Sequence, residues 1–188
     1  MLDILKKYNV KATFFVVDNS SYIDLIKREY DEGHTVAIHS ATHDYKKIYS
    51  SKESYFEDLH KMESIIEEQT GKKPTLIRFP GGSSNTVSKK YSNGIMTTLT
   101  KEVINLGYQY YDWNVSSGDA GETTNTNTVV SNVISGIKKH DVSVILQHDI
   151  KEFSVNAVEQ IIKWGLENGY TFKALDENSP ICHHSVNN

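Results

Sequence analysis

The chain has 188 residues, enough for one domain of ordinary size. Its 20 basic and 24 acidic side chains leave a net charge of −4 with no basic stripe, which argues against a nucleic-acid partner. About 38% of residues are hydrophobic, yet no apolar run nears the roughly 18 residues of a membrane span, and one cysteine, Cys182, excludes an internal disulfide framework.

Met1 leads straight into LDILKKYNVKATFF, with no secretory leader in residues 1–188. ATFFVV (12–17) reads as a buried strand. SYIDLIKREYDEG (21–33) reads as a helix, with Tyr22, Ile23, Leu25, Ile26 and Tyr30 on one side and Gly33 as its stop. HTVAIH (34–39) is the next strand. Residues 51–71 form a long helix capped by Ser51 and closed by Gly71. PTLIRF (74–79) is a strand. Residues 87–107 are largely helical, with a break at Asn93-Gly94. A strand is expected at 108–115, a helix from an Asn/Thr cap at 125–140 and a strand at 142–148. A helix at 154–169 and a last strand at 170–175 complete the pattern, and the tail NSPICHHSVNN reads as frayed. Strict alternation of about six βα units predicts an α/β fold with a parallel sheet, open or closed into a barrel.

In such folds active sites form at the carboxyl ends of the strands. Four strands end in polar clusters here: His39 followed by His43, then RFPGG (78–82), DWNVSSGDA (112–120) and QHDI (147–150). Each cluster has a bland reading. An HxxxH pair grips a metal or consists of two unrelated surface residues. Arg78 pairs with a surface carboxylate, Gly81-Gly82 makes a turn, Asp119 caps a helix, and His148 is a satisfied core histidine. Eleven tyrosines and two tryptophans suit a sugar-binding groove and a plain core equally. The joint placement of the four clusters is what carries weight. Neither a G-x-S-x-G elbow nor a G-K-[ST] phosphate loop is present.

Taken in order, HSATH, RFPGG, WNVSSGDA and VILQHD resemble motifs two to five of the polysaccharide deacetylases, the family four carbohydrate esterases with a NodB-homology domain. The resemblance spans nearly the whole chain, with the domain at 1–176 and a tail at 177–188. It implies a distorted (β/α) barrel and metal-dependent removal of acetyl groups from an N-acetylated polysaccharide, peptidoglycan or chitin-like. By the same resemblance His39 and His43 bind the metal, usually zinc, and Arg78 holds the catalytic base. Gly81 offers its backbone N–H to the oxyanion, Asp119 orients the general acid His148, and Leu146 and Trp113 line the substrate pocket. The family works in the cell envelope or outside the cell.

The family's first motif, a TFDDG-like run carrying the base and a third metal ligand, does not occur in residues 1–188. The expectation is therefore a domain lacking its N-terminal strand. The alternative it raises is a catalytically impaired pseudoenzyme or carbohydrate-binding remnant. Two milder departures are Ala120, where the family often has an aromatic, and Gly81, where it often has tyrosine.

Overall fold

The computed structural model describes all 188 residues. The chain divides into two compact units, and each is discontinuous in sequence. The larger takes Thr13–Asp112 with Leu175–Asn188, and the smaller takes Met1–Ala12 with Trp113–Ala174.

In the larger unit β1 (Thr13–Val17), β2 (Thr35–Ser40), β3 (Leu76–Ile77) and β4 (Gln109–Tyr110) form a parallel sheet in that order. Helices α2 (Ile23–Asp31), α3 (Tyr45–Ile48), α4 (Lys52–Thr70) and α5 (Ile95–Asn105) accompany it. The long helix α4 starts where the Ser51 hydroxyl accepts the Ser54 amide at 3.0 Å, and it stops at Gly71 with φ 70. Between those caps Tyr55, Leu59, Met62 and Ile66 recur on one face and are buried in the main core with Ile38, Ile77 and Phe79. The expected break at Asn93-Gly94 is present: Gly94 at φ 78 opens α5 after a short 3₁₀ turn at Ser88–Lys90.

The smaller unit contains α1 (Leu2–Lys7), β5 (Val115–Ser116), α6 (Thr126–Ile137), β6 (Ile145–Leu146) and α7 (Glu152–Glu167). β5 and β6 pair in parallel, and Val129, Val133, Ile137, Ala157 and Ile161 bury the facing stripes of α6 and α7. The start of the chain is tied to α7 by Lys7 Nζ and Tyr8 Oη, which reach Glu159 at 2.5 and 2.6 Å. Gly136 on α6 lies so close to β5 that a Cβ there would sit 2.5 Å from Val115 Cγ1. In an open helix Gly→Ala gains up to about 1 kcal/mol, but overpacking a filled core costs about 1–3 kcal/mol. Gly136→Ala should therefore lower the melting temperature by a few degrees, read by calorimetry, and a rise would show that β5 yields freely.

Three expected features differ. The segment 108–115 is not one strand but two, β4 and β5, because the backbone changes partners between them. The Asp112 amide donates to the Cys182 carbonyl at 2.8 Å, and the Asn114 amide donates to the Val144 carbonyl at 3.0 Å. Residues 170–175 join no ladder. Instead the Leu175 amide donates to Thr13 Oγ1 and its carbonyl accepts from Thr35 Oγ1, both at 2.7 Å, so threonine hydroxyls replace backbone pairing. The tail is not frayed either. His184 N donates to the buried Asp112 carboxylate at 2.8 Å, the His183 ring stacks on Tyr110 at 3.6 Å, and the Asn188 side chain accepts from the Gly94 amide at 2.7 Å. A buried carboxylate needs donors, and the last residues supply one.

Candidate functional site

Parallel pairing carries the site residues to strand ends in both units. In the larger unit Ile38 pairs with Ile77, so His39 and Arg78 leave their strands side by side, with the Arg78 amide donating to the Ile38 carbonyl at 2.9 Å. His39 Nδ1 lies 2.7 Å from the Arg78 carbonyl. A carbonyl only accepts, so Nδ1 carries the proton and Nε2 is the ring nitrogen with the lone pair.

His43 follows across a loop with an unusual backbone. Its φ is 51, a left-handed conformation that costs energy outside glycine. Its amide donates to Ser40 Oγ at 2.8 Å, and Ser40 Oγ donates to Asp58 Oδ2 at 2.6 Å. Asp58, buried on α4, also accepts from the Ala41 amide (2.8 Å), the Thr42 amide (2.9 Å) and the Thr42 hydroxyl (2.6 Å). Burial alone would push this carboxyl up, but the bonds from Ser40, Thr42 and the two amides outweigh it and hold it below the ordinary carboxylate value. One buried anion thus shapes the whole loop between the two histidines. The rings end with centroids 5.1 Å apart, tilted by 48°. Two imidazoles sharing a tetrahedral zinc at about 2.0–2.1 Å would hold their centroids roughly 5 Å apart, so the pair fits a metal. No group of three or more His, Cys, Asp or Glu side chains is placed to hold one. Asp44 is committed elsewhere, capping α3 through the Lys46 and Lys47 amides.

Arg78 is nearly buried, with its guanidinium 4.2 Å over the Phe15 ring. Nε and one Nη donate to the carbonyls of Tyr111 and Asp112, both at 3.0 Å. Burial lowers its pKa to about 10, with Asp112 opposing, so the cation persists at neutral pH. The turn after it is fixed by the Tyr49 hydroxyl on the Pro80 carbonyl at 2.7 Å, and by Ser83, whose amide and hydroxyl donate to Asp112 at 2.8 and 2.5 Å. Gly81 projects from this turn at φ 77, exposed, and its N–H has no acceptor within the protein.

In the smaller unit the parallel pair β5–β6 places Asp119 three residues beyond Ser116 and His148 two beyond Leu146. Asp119 Oδ1 meets His148 Nδ1 at 2.7 Å, while Oδ2 accepts from the His148 amide at 2.7 Å and from Ser154 Oγ at 2.6 Å. Lys151 Nζ also reaches the Asp119 carbonyl. Burial favours the neutral acid, but the bonds from His148 and Ser154 prevail and hold the carboxyl well below the usual carboxylate range. The ionised Asp119 fixes the Nδ1–H tautomer and leaves His148 Nε2 for chemistry. Leu146 and Trp113 are half-buried in the same unit.

Sequence reasoning missed Asp58 and Ser154. Asp58 was detectable as an acid inside the apolar stripe Tyr55-Leu59-Met62, three residues from one buried position and four from another.

Residues 1–104 match the family model described as polysaccharide deacetylase. A peptidoglycan-N-acetylglucosamine deacetylase of Bacillus cereus is 34% identical over 100% of this chain and 66% of its own length. The PgdA protein of Listeria monocytogenes, of the same description, is 32% identical over 94% of this chain and 34% of its own. The chain therefore spans from a third to just under two thirds of these relatives. Among solved structures, the catalytic domain of peptidoglycan N-acetylglucosamine deacetylase from Eubacterium rectale superposes with a TM-score of 0.98 at 61% identity, covering 100% of this chain and 86% of that one. The polysaccharide deacetylase Bc1974 from Bacillus cereus gives 0.81 at 34% identity, covering 99% and 87%. The α/β class is that of these deacetylase domains.

Proposed function

Because the chain belongs to the polysaccharide deacetylase family, we propose that it hydrolyses the acetamide of N-acetylglucosamine units in a peptidoglycan-type polysaccharide. A divalent ion, zinc by the donor set, is held by His39 and His43. The observation that carries this reading is the His39–His43 pair, one ring locked through Nδ1 and the two centroids 5.1 Å apart. The names of the similar proteins support the substrate class. Peptidoglycan places the work in the cell envelope.

When bound, the metal polarises the acyl oxygen and lowers the pKa of a water. The protein's own groups do the rest. The Gly81 N–H meets the oxygen that gains negative charge. Arg78, held flat by two carbonyls and a ring, keeps its cation, the group that by the family resemblance orients the base carboxylate of the first motif, which does not occur in residues 1–188. His148 delivers a proton to the leaving nitrogen, and the anionic Asp119 behind it holds the ring in position through Nδ1. Leu146 and Trp113 accept the acetyl methyl and the sugar.

The test is acetate release by the full-length protein from N-acetylated glycan, with peptidoglycan and chito-oligosaccharide compared, before and after chelation and zinc restoration. No acetate from either glycan would refute the reading. Separately, His43→Ala should weaken zinc binding at least about 10-fold, since one ligand of an already sparse protein set is lost. Competition with a chelating dye measures this, and unchanged affinity would move the metal elsewhere.

A further inference from the structure

Tyr45, the first residue of α3, has a ring that packing explains and a hydroxyl that it does not. The ring stands edge-on to His43 and to Tyr49, each at 5.6 Å. A phenylalanine would pack there equally well. Burying a phenol is worthwhile when its O–H finds a partner, and the neighbouring Tyr49 has one in the Pro80 carbonyl at 2.7 Å. The half-buried Tyr45 hydroxyl has none within the protein.

Its position gives the reason. A Cβ built on Gly81 would lie 2.7 Å from Tyr45 Oη and 3.1 Å from Asn85 Cβ. The hydroxyl therefore fills the space a side chain at 81 would take, and only glycine leaves that space open. Since N and Cβ hang from the same Cα, Oη is within about 5 Å of the Gly81 nitrogen. Two donors each 2.7–3.1 Å from one oxygen stand at most about 6 Å apart. The unpaired Gly81 N–H and the unpaired Tyr45 O–H meet that condition, beside the ring of His43.

We propose that Tyr45 is a catalytic residue whose hydroxyl is a second donor to the oxyanion, alongside the Gly81 N–H. The inference rests on the deacetylase reading above. In the step concerned, water oxygen bonds to the acetyl carbon, a carboxylate base of the family's first-motif class takes the water proton, and the C=O π pair moves onto the acyl oxygen. Tyr45 donates a hydrogen bond to that oxygen and keeps its proton. Collapse restores the C=O, breaks C–N and leaves acetate and the protonated amine. Because the bond strengthens as charge develops, it acts on the transition state and not on substrate affinity.

The test is Tyr45→Phe in the full-length protein, with kcat and KM measured separately on an N-acetylglucosamine oligosaccharide. The melting temperature and zinc affinity are followed in parallel. The expected result is a fall in kcat on the order of 10²-fold, with KM, melting temperature and zinc affinity unchanged. Affinity for a tetrahedral methylphosphonamidate of glucosamine should fall by a similar factor, while affinity for the glucosamine product holds. A kcat close to that of the parent, or a raised KM at unchanged kcat, overturns the proposal. So does a large drop in melting temperature, which would make the hydroxyl structural. A parent protein that releases no acetate refutes the deacetylase reading instead, so the two failures are distinguishable.

Discussion

Asp58→Ala should remove several kcal/mol of stability and most of the zinc affinity in one substitution. The carboxylate accepts from Ser40 Oγ, Ala41 N, Thr42 N and Thr42 Oγ1. Each donor left without an acceptor in the interior costs about 1–3 kcal/mol. Thr42 is exposed and water reaches it, so the sum is about 3–5 kcal/mol rather than the full total. The loop also loses what holds His43 at φ 51, so the histidine relaxes toward ordinary backbone and away from His39. A metal affinity loss of about 10–100-fold follows from disturbing such a supporting contact. The charge matters as well as the shape. Asp58 titrates lower in the folded than in the unfolded chain, so its contribution is present above the unfolded value of about 3.9 and is lost as pH falls through the folded one. Asp58→Asn should accordingly flatten the acid limb of the stability profile. Urea titrations with and without zinc measure both effects, and a variant as stable and as metal-avid as the parent would remove Asp58 from the account.

His148→Ala should lower kcat by about 10²–10⁴-fold with little change in KM, because proton delivery to the leaving amine belongs to the transition state. Asp119→Asn should approach the same loss for a different reason. An amide in that place no longer compels the Nδ1–H tautomer, and the bonds from the His148 amide and Ser154 Oγ lose a charged acceptor. Because the two residues act as one unit, the double variant should be little worse than His148→Ala alone. Steady-state kinetics of the four proteins decide this. Additive losses would show that Asp119 contributes independently of the histidine.

The fold was legible where periodicity and caps agreed. Ser51 and Gly71 bracket α4 as their chemistry requires, and Asn93-Gly94 interrupts the following helix. It was illegible where the backbone switches partner. YQYYDWNV has an unbroken β-rich character, and nothing in it reports that Asp112 bonds to Cys182 while Asn114 bonds to Val144. The tail misled for the same reason, since ICHHSVNN is polar and small and its order comes from a carboxylate some 72 residues earlier. At the site, the short strand-end motifs announced themselves in sequence. Their supports did not. Asp58 and Ser154 lie in helices whose other residues are ordinary, and only the folded arrangement brings their oxygens to the loop and to Asp119.

The discontinuity of the larger unit bears on how the chain is made. A ribosome delivers Thr13–Asp112 well before Leu175–Asn188, and the intervening residues belong to the smaller unit. In the nascent chain, Tyr110 therefore waits without the His183 ring, and the Asp112 carboxylate without the His184 amide. The smaller unit has all of its segments in hand once Ala174 emerges, with Glu159 already able to meet Lys7. Vectorial synthesis thus finishes the larger unit last. Until its final residues leave the exit tunnel, the outer edge of β4 is the place where a chaperone would find backbone still to cover.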